Sequence, residues 1–329
     1  MPVPSTIDQL STTAASNFPA GSDSPSSLDD VQRAHGSFIA TIRDTVGLGT
    51  GTLVPATART NFGAAASGPL ASSGITGAAA TSEIRSYLAG CTLSTAGSSA
   101  TMSISAGVAQ DSANAATMTL AAISKTTSAW AVGTAAGGLD TGAIANSTWY
   151  HFYAIRRPDT GVVDVVFSTS ASAPTLPTNY TQYRRIGSAK TNGSAQWVKF
   201  TQDGDLFMLS TPVLDASTGT PGTSAFSVAL GSVPSGVRVG AVLTASIIET
   251  TGVDAMYLSD LSSDDLAPSG TTAPGITVRS YTAGNTGVAT VTVMTSTGQS
   301  IRARVQVGAA TCTVYFITLG WVDTRGRNS

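Results

Sequence analysis

The chain has 329 residues, with 17 Lys and Arg against 19 Asp and Glu, a formal net charge of −2. Hydrophobic residues make up 42% and charged residues 11%, well under the usual charged share, with Gly, Ala, Ser and Thr in their place. These values leave no electrostatic case for nucleic acid, and no window approaches the ~20 apolar residues of a membrane span. The length suffices for one large β domain or two smaller ones. A surface this poor in charge suits subunits that cover one another. A small-residue β protein from a GC-rich genome has the same composition.

The first 25 residues carry Pro2, Pro4, Pro19 and Pro25 among many Ser and Thr and cannot bury a core of their own. They read as an extended arm that orders against a partner, or as a floppy terminus. The opening residues lack the basic segment and apolar core of a signal peptide, so synthesis in the cytoplasm is expected. Residues 26–47 read as the one short α-helix. Ser27 and Asp30 fit a capping box, Asp29 and Asp30 suit the positive helix end, and Gly47 is a natural stop. Leu28, Val31, His35, Phe38, Ile42 and Val46 recur at steps of three or four. That stripe packs on the β domain or forms the seam of a trimeric bundle. Residues 48–80, rich in Gly, Ala, Ser and Thr, read as a linker with a short strand at 50–54. The expected organisation is therefore 1–48 for arm and helix, 49–80 for the linker and 81–329 for the β domain.

Residues 84–88 read as a helical turn or a strand. From Cys91 the chain alternates in short runs. Residues 100–108 and 116–124 have period two, with Met102, Ile104, Met118 and Leu120 on the apolar parity. Further runs fall at 129–132, 226–231, 237–248, 254–258, 276–281, 288–294, 301–308 and 311–322, nearly all separated by Gly, Pro or Asp. About a dozen strands at this spacing predict a mainly β fold, an antiparallel β-sandwich of jelly-roll type.

The longest apolar strands lie in the block 147–209. Trp149 to Arg156 is apolar on both faces, which predicts a central strand covered on each side. Arg157 to Gly161 reads as a turn and 162–168 as the returning strand. A second hairpin is expected from 196–201 and 206–211 around Asp203-Gly204.

This block resembles a module of tail fibres and other tail-associated proteins of bacteriophages and prophages. The resemblance rests on Trp149-Tyr150-His151, Asp159 to Asp164, Leu176-Pro177, Tyr180, Tyr183 to Ser188, and Phe200 to Asp205. Phe18-Pro19 with Leu28 to His35 and Ile42-Arg43-Asp44 is similar to the N-terminal attachment region of phage tail fibres, which implies that this end docks on the particle. Trp321 with Arg325-Gly326-Arg327 also resembles phage tail proteins. The Trp149-Tyr150-His151 start with the Gly161 to Asp164 return is loosely similar to lectin-like sandwiches, which keeps a glycan-binding reading open.

Catalytic signals are sparse. His151 sits mid-strand among aromatics and reads as a packed or hydrogen-bonded histidine, not as a triad base. Asp203 with Asp205, Asp254, and Asp260 with Asp264 and Asp265 are the carboxylates that a glycan-cleaving site would need, but turns and a polar loop explain them first. Arg156-Arg157 and Arg184-Arg185 read as strand-end solvation. Cys91 and Cys312 read as two buried free thiols, with a disulfide as the alternative. No catalytic residue, metal site or cofactor is expected.

The expectation is a virion structural protein of a phage tail, a homotrimer whose partners are its own copies, other tail proteins, and a glycan or protein of the host surface. Nucleic acid and membrane insertion are not expected. Leu28, Val31, His35, Phe38 and Ile42 are the candidate attachment residues. Tyr180, Tyr183 and Trp197 are the candidate surface contacts. Two alternatives stand beside this: a collar, baseplate or head-decoration adaptor without receptor contact, and a glycan-binding module or depolymerase.

Overall fold

The computed structural model describes residues 11–16, 32, 33, 35–42 and 85–327. The chain divides into two compact units, Met1–Ala80 and Thr81–Ser329.

In the first unit, residues 32, 33 and 35–42 are helical, and Ala14–Ser16 forms a single 3-10 turn. The Ser37 hydroxyl donates to the Thr12 carbonyl, and Thr41 Oγ1 donates back to Ser37 O at 2.9 Å. Gly36 and Ala40 are buried, whereas His35, Phe38, Ile39 and Ile42 are exposed. The stripe therefore faces outward at its three described positions. The small residues Gly36 and Ala40 take the inward face. Leu28, Val31, Val46, the helix ends and the 50–54 strand lie outside the described residues.

The second unit contains nineteen strands among its described residues. First come β1 (Leu88–Gly90), β2 (Leu93–Ser94), β3 (Thr101–Ile104), β4 (Gly107–Gln110) and β5 (Thr117–Leu120). Next are β6 (Ile123–Ala129), β7 (Ala136–Leu139), β8 (Trp149–Arg156), β9 (Val163–Ser168) and β10 (Gln182–Lys190). Then follow β11 (Phe200–Asp203), β12 (Leu206–Gly219), β13 (Phe226–Ala229), β14 (Gly240–Glu249) and β15 (Ala255–Ser259). The last are β16 (Val278–Arg279), β17 (Thr286–Met294), β18 (Ser300–Val305) and β19 (Cys312–Val322).

Four sheets result. A seven-stranded sheet runs β10-β8-β9-β7-β6-β3-β2, and β1-β4-β5 forms a three-stranded sheet. A five-stranded sheet runs β11-β12-β19-β14-β17, and β13-β18-β15-β16 forms a four-stranded one. The architecture is mainly β and sandwich-like. Period-two burial explains the facing: Ala241, Leu243, Ala245 and Ile247 of β14 and Val314 and Phe316 of β19 join one core with Met256, Ile301 and Ala303 of the four-stranded sheet. The same core continues into the seven-stranded sheet. There Trp149 meets Trp321 edge-on at 5.2 Å, and Trp321 stacks on Phe207 at 5.1 Å.

Strand β8 is central and covered on both faces, as its composition predicts. Tyr150, Phe152 and Ala154 enter the large core. Tyr153 and Ile155, on the opposite face, form a second core with Val166 and Tyr180. The turn to β9 closes with Arg157 N–H to Val162 O at 3.0 Å, and Gly161 takes a φ of 74° there.

Several expectations need correction. The large sheet is mixed, because β7 runs parallel to both β6 and β9. A Cβ at Gly137 would meet Ala129 O at 1.9 Å, and one at Gly138 would meet the Phe167 ring at 2.6 Å, so only glycine fits this closely flanked strand. Runs 100–108 and 116–124 each split into two strands of different sheets. The 129–132 run is strand only at Ala129. Strand β12 extends to Gly219, well past its expected end. Strand β10, unanticipated, pairs with β8 along its length across a bulge between Arg185 and Gly187.

Candidate binding site

Several charged side chains of the second unit pair with one another. Lys125 and Asp164 form a buried pair at 2.7 Å linking β6 to β9. Lys125 Nζ also donates to Ala131 O and Gly133 O, and Asp164 accepts from Gly133 N–H and Val165 N–H. Arg185 grips Asp323 with two hydrogen bonds of 2.6 and 2.7 Å. Burial works against both charges, yet each holds the other ionised, so the Asp323 carboxyl lies below its ordinary range. Arg184 and Arg185 are thus mid-strand and inside, not solvated strand ends, because the β10 bulge sits beside them. The C-terminal arginines fold back in the same way: Arg325 and Arg327 both engage Asp205. That interaction, more than turn chemistry alone, accounts for Asp205.

Three of the other candidate carboxylates are also engaged. Asp254 accepts from the N–H groups of Ala255, Val307 and Gly308. Asp260 pairs with Arg238, and Asp265 with Arg304. Glu249, Asp254 and Cys312 bring one potential ligand atom each within 4.8 Å of one another. The Cys312 thiol is pushed up to about 12 by burial and by the nearby carboxylates of Asp254 and Glu249, so it stands there protonated. Cys91 and Cys312 are both free and buried.

His151 is fully buried, with Nδ1 at 2.9 Å from Ser188 Oγ. Burial and the neighbouring Arg185 guanidinium lower its pKa to about 4, against the pull of Asp323. It is a neutral packed histidine of the sheet.

Of the three candidate surface contacts, two are core residues. Trp197 is buried among Tyr150, Phe152 and Phe167, with ring centroids 5.2–5.8 Å apart. It occupies the large core because bridges to Ser99 and Thr191 fold its segment over the sheet. Tyr180 is also buried, edge-on to Trp130 at 5.3 Å. Only Tyr183 is half-exposed. It stands edge-on to Tyr153 at 5.9 Å and donates from its hydroxyl to Ser172 O at 3.3 Å.

Two recesses flank this region. One, of about 510 Å³, is walled by Trp130, Val132, Asp140, Arg157, Leu176 and Tyr180. Trp130 fixes its ring there by donating from Nε1 to Val165 O at 3.1 Å. Trp130 and Val132 were not distinguishable from strand residues by pattern, and a Trp beside an interrupted apolar run was the available signal. The other recess, of about 210 Å³, is lined by Tyr153, Tyr183, Arg184, Arg185 and Arg325. The described attachment residues His35, Phe38 and Ile42 belong to the first unit and line neither.

No family model and no curated protein matches the sequence. Among solved structures, the N-terminal CBM22-1-CBM22-2 tandem domain from Paenibacillus barcinonensis Xyn10C aligns with 56% of this chain and 76% of its own, at 11% identity and a TM-score of 0.17. That overlap is too slight to bear on fold or ligand.

Proposed function

We propose that the chain is a structural binding subunit of a bacteriophage tail, a fibre or fibre-like component that docks through its first unit and presents its β unit to a host surface or a neighbouring protein. The resemblance of the 147–209 block and of the N-terminal segment to tail fibres is the starting point. The observation that carries the reading is the first unit's helix, where Phe38 is 66%, Ile42 60% and Ile39 45% exposed. Three large apolar side chains within five residues leave a face that a second chain would cover, either another copy of the helix or a particle protein. Binding through many copies then makes weak individual contacts sufficient.

A second reading keeps the binding role and makes the ligand a glycan. The recess walled by Trp130 and Tyr180 favours it, since aromatic walls suit sugar faces. Asp140 is the one acid among that recess's described lining, and it accepts from Thr175 N–H, so the recess suits binding better than hydrolysis.

The test is adsorption competition against the parent phage with the full chain and with a version starting at Gly49. Blocking by both supports a receptor-binding β unit. Blocking by neither, with the full chain alone docking on fibre-stripped particles, would make the protein a joint of the tail without receptor contact. Size measurement of the full chain and of a Phe38→Asp, Ile42→Asp double variant reads the trimer directly.

A further inference from the structure

Arg184 is the arginine of the smaller recess that makes no hydrogen bond or ion pair among the described residues. It is 5% exposed, and its Nε and Nη2 are buried without a hydrogen-bond partner. Arg185 and Arg325 line the same recess, but Asp323 and Asp205 neutralise them. The acid that draws most on Arg184 is Asp111, and its oxygens already accept the N–H groups of Ala113, Ala115 and Ala116 at 2.6–3.2 Å. A buried guanidinium without an acceptor is among the costliest arrangements a fold can hold. Burial and the nearby charges of Arg185, Arg325 and Arg327 all disfavour its protonated form. A fold that keeps a forked donor in a positively charged recess is prepared for an oxyanion from outside.

The walls fit the same ligand. Tyr183, Ser86 and Ser172 are hydroxyl-bearing residues of the same lining. At about 210 Å³ the space is smaller than the ~300–1,000 Å³ of drug-sized sites, so it takes one charged sugar residue and not a long segment. The guanidinium fork matches the paired oxygens of a carboxylate or a phosphate.

We propose that this recess binds the oxyanion of a charged sugar, a carboxylate or phosphate carried on a cell-surface polysaccharide, with Arg184 as its principal partner. The polysaccharide source rests on the surface-binding reading above; the oxyanion chemistry does not.

The experiment is calorimetric titration and thermal melting of the full chain with glucuronate, glucose 1-phosphate and glucose. The acidic sugars are expected to bind saturably and raise Tm, and glucose to do neither. Preference between the first two separates a uronic-acid polymer from a phosphate-bearing one. Arg184→Met keeps the apolar stem and is expected to weaken binding at least tenfold. Ser172→Asp, on the exposed rim, supplies an internal carboxylate and is expected to raise Tm and abolish the acid-sugar response, so the test does not depend on one variant folding. Equal response to all three sugars, or undiminished binding by both variants, overturns the site. In adsorption competition, equal blocking by the parent chain and Arg184→Met would retain surface binding and reject this recess. Acid-sugar binding without any cell binding would retain the oxyanion site and reject the polysaccharide source.

Discussion

His151 makes stability depend on pH in a window where few other groups titrate. It is fully buried, and its pKa falls from 6.5 to about 4 in the folded chain. Above pH 6.5 the imidazole is neutral whether the chain is folded or not, and it contributes no pH dependence. Below 6.5 the unfolded chain takes up a proton that the folded chain refuses until about pH 4, so stability is lost as pH falls across that interval. A drop of about 2.5 pH units at about 1.4 kcal/mol each comes to about 3.5 kcal/mol, of which about 3 kcal/mol is lost by pH 4. The groups that set it are fixed: Arg185 lies close and is itself locked to Asp323, while Ser188 holds Nδ1. His151→Phe removes the titration and leaves Ser188 its contact with Arg185 at 3.2 Å. Urea unfolding of both chains from pH 7.5 to 4 provides the assay. The parent should lose about 3 kcal/mol more than His151→Phe across that range. Parallel curves would refute the reasoning and mean that the imidazole is already charged, or reached by water, inside the sheet.

Three further outcomes follow from the packing. Trp197→Ala should cost about 3–5 kcal/mol by urea unfolding, because it empties the space between Tyr150, Phe152 and Phe167; a loss under 1 kcal/mol would place the ring at the surface after all. Lys125→Met should cost about 3–5 kcal/mol by stranding Asp164, and a Lys125→Met, Asp164→Leu pair should recover much of that loss. Additive losses in that double-mutant cycle would deny the coupling. Cys91 and Cys312, with thiols raised to about 11 and 12, should resist a thiol reagent at pH 8 in the folded chain and react fully in urea. Rapid labelling of two thiols in the folded chain would contradict their burial.

Strands whose residues all favour a pleated, covered surface were legible from sequence. Trp149–Arg156 is aromatic or aliphatic at nearly every position, and its partner follows a turn marked by Pro, Asp and Gly. Strand β10 was not, because two arginines sit mid-strand and the bulge past Arg185 breaks the period of two. Strand β7, Ala-Gly-Gly-Leu, carries the composition of a turn, and its glycines are explained only by the closeness of Ala129 and Phe167. The site was less legible than the fold. Aromatic identity marks a large contact surface but not its direction, so Trp197 and Tyr180 read like Tyr183. The pairing of Arg185 with Asp323 spans 138 positions, and no local spacing announces it. Which arginine is left over depends on those pairings, so Arg184 could not be singled out beforehand.

The position of β19 has a consequence for synthesis. Strand β12 forms a hairpin with β11, and β14 a ribbon with β17, but β12 and β14 do not pair with each other: β19 lies between them in the sheet. Until that strand leaves the ribosome, the nascent chain holds two separate ribbons, each with an unpaired strand edge. A message cut short before Cys312 would therefore yield neither a smaller sheet nor a weaker one. It would yield two adhesive halves, open to aggregation and to sorting by chaperones and proteases.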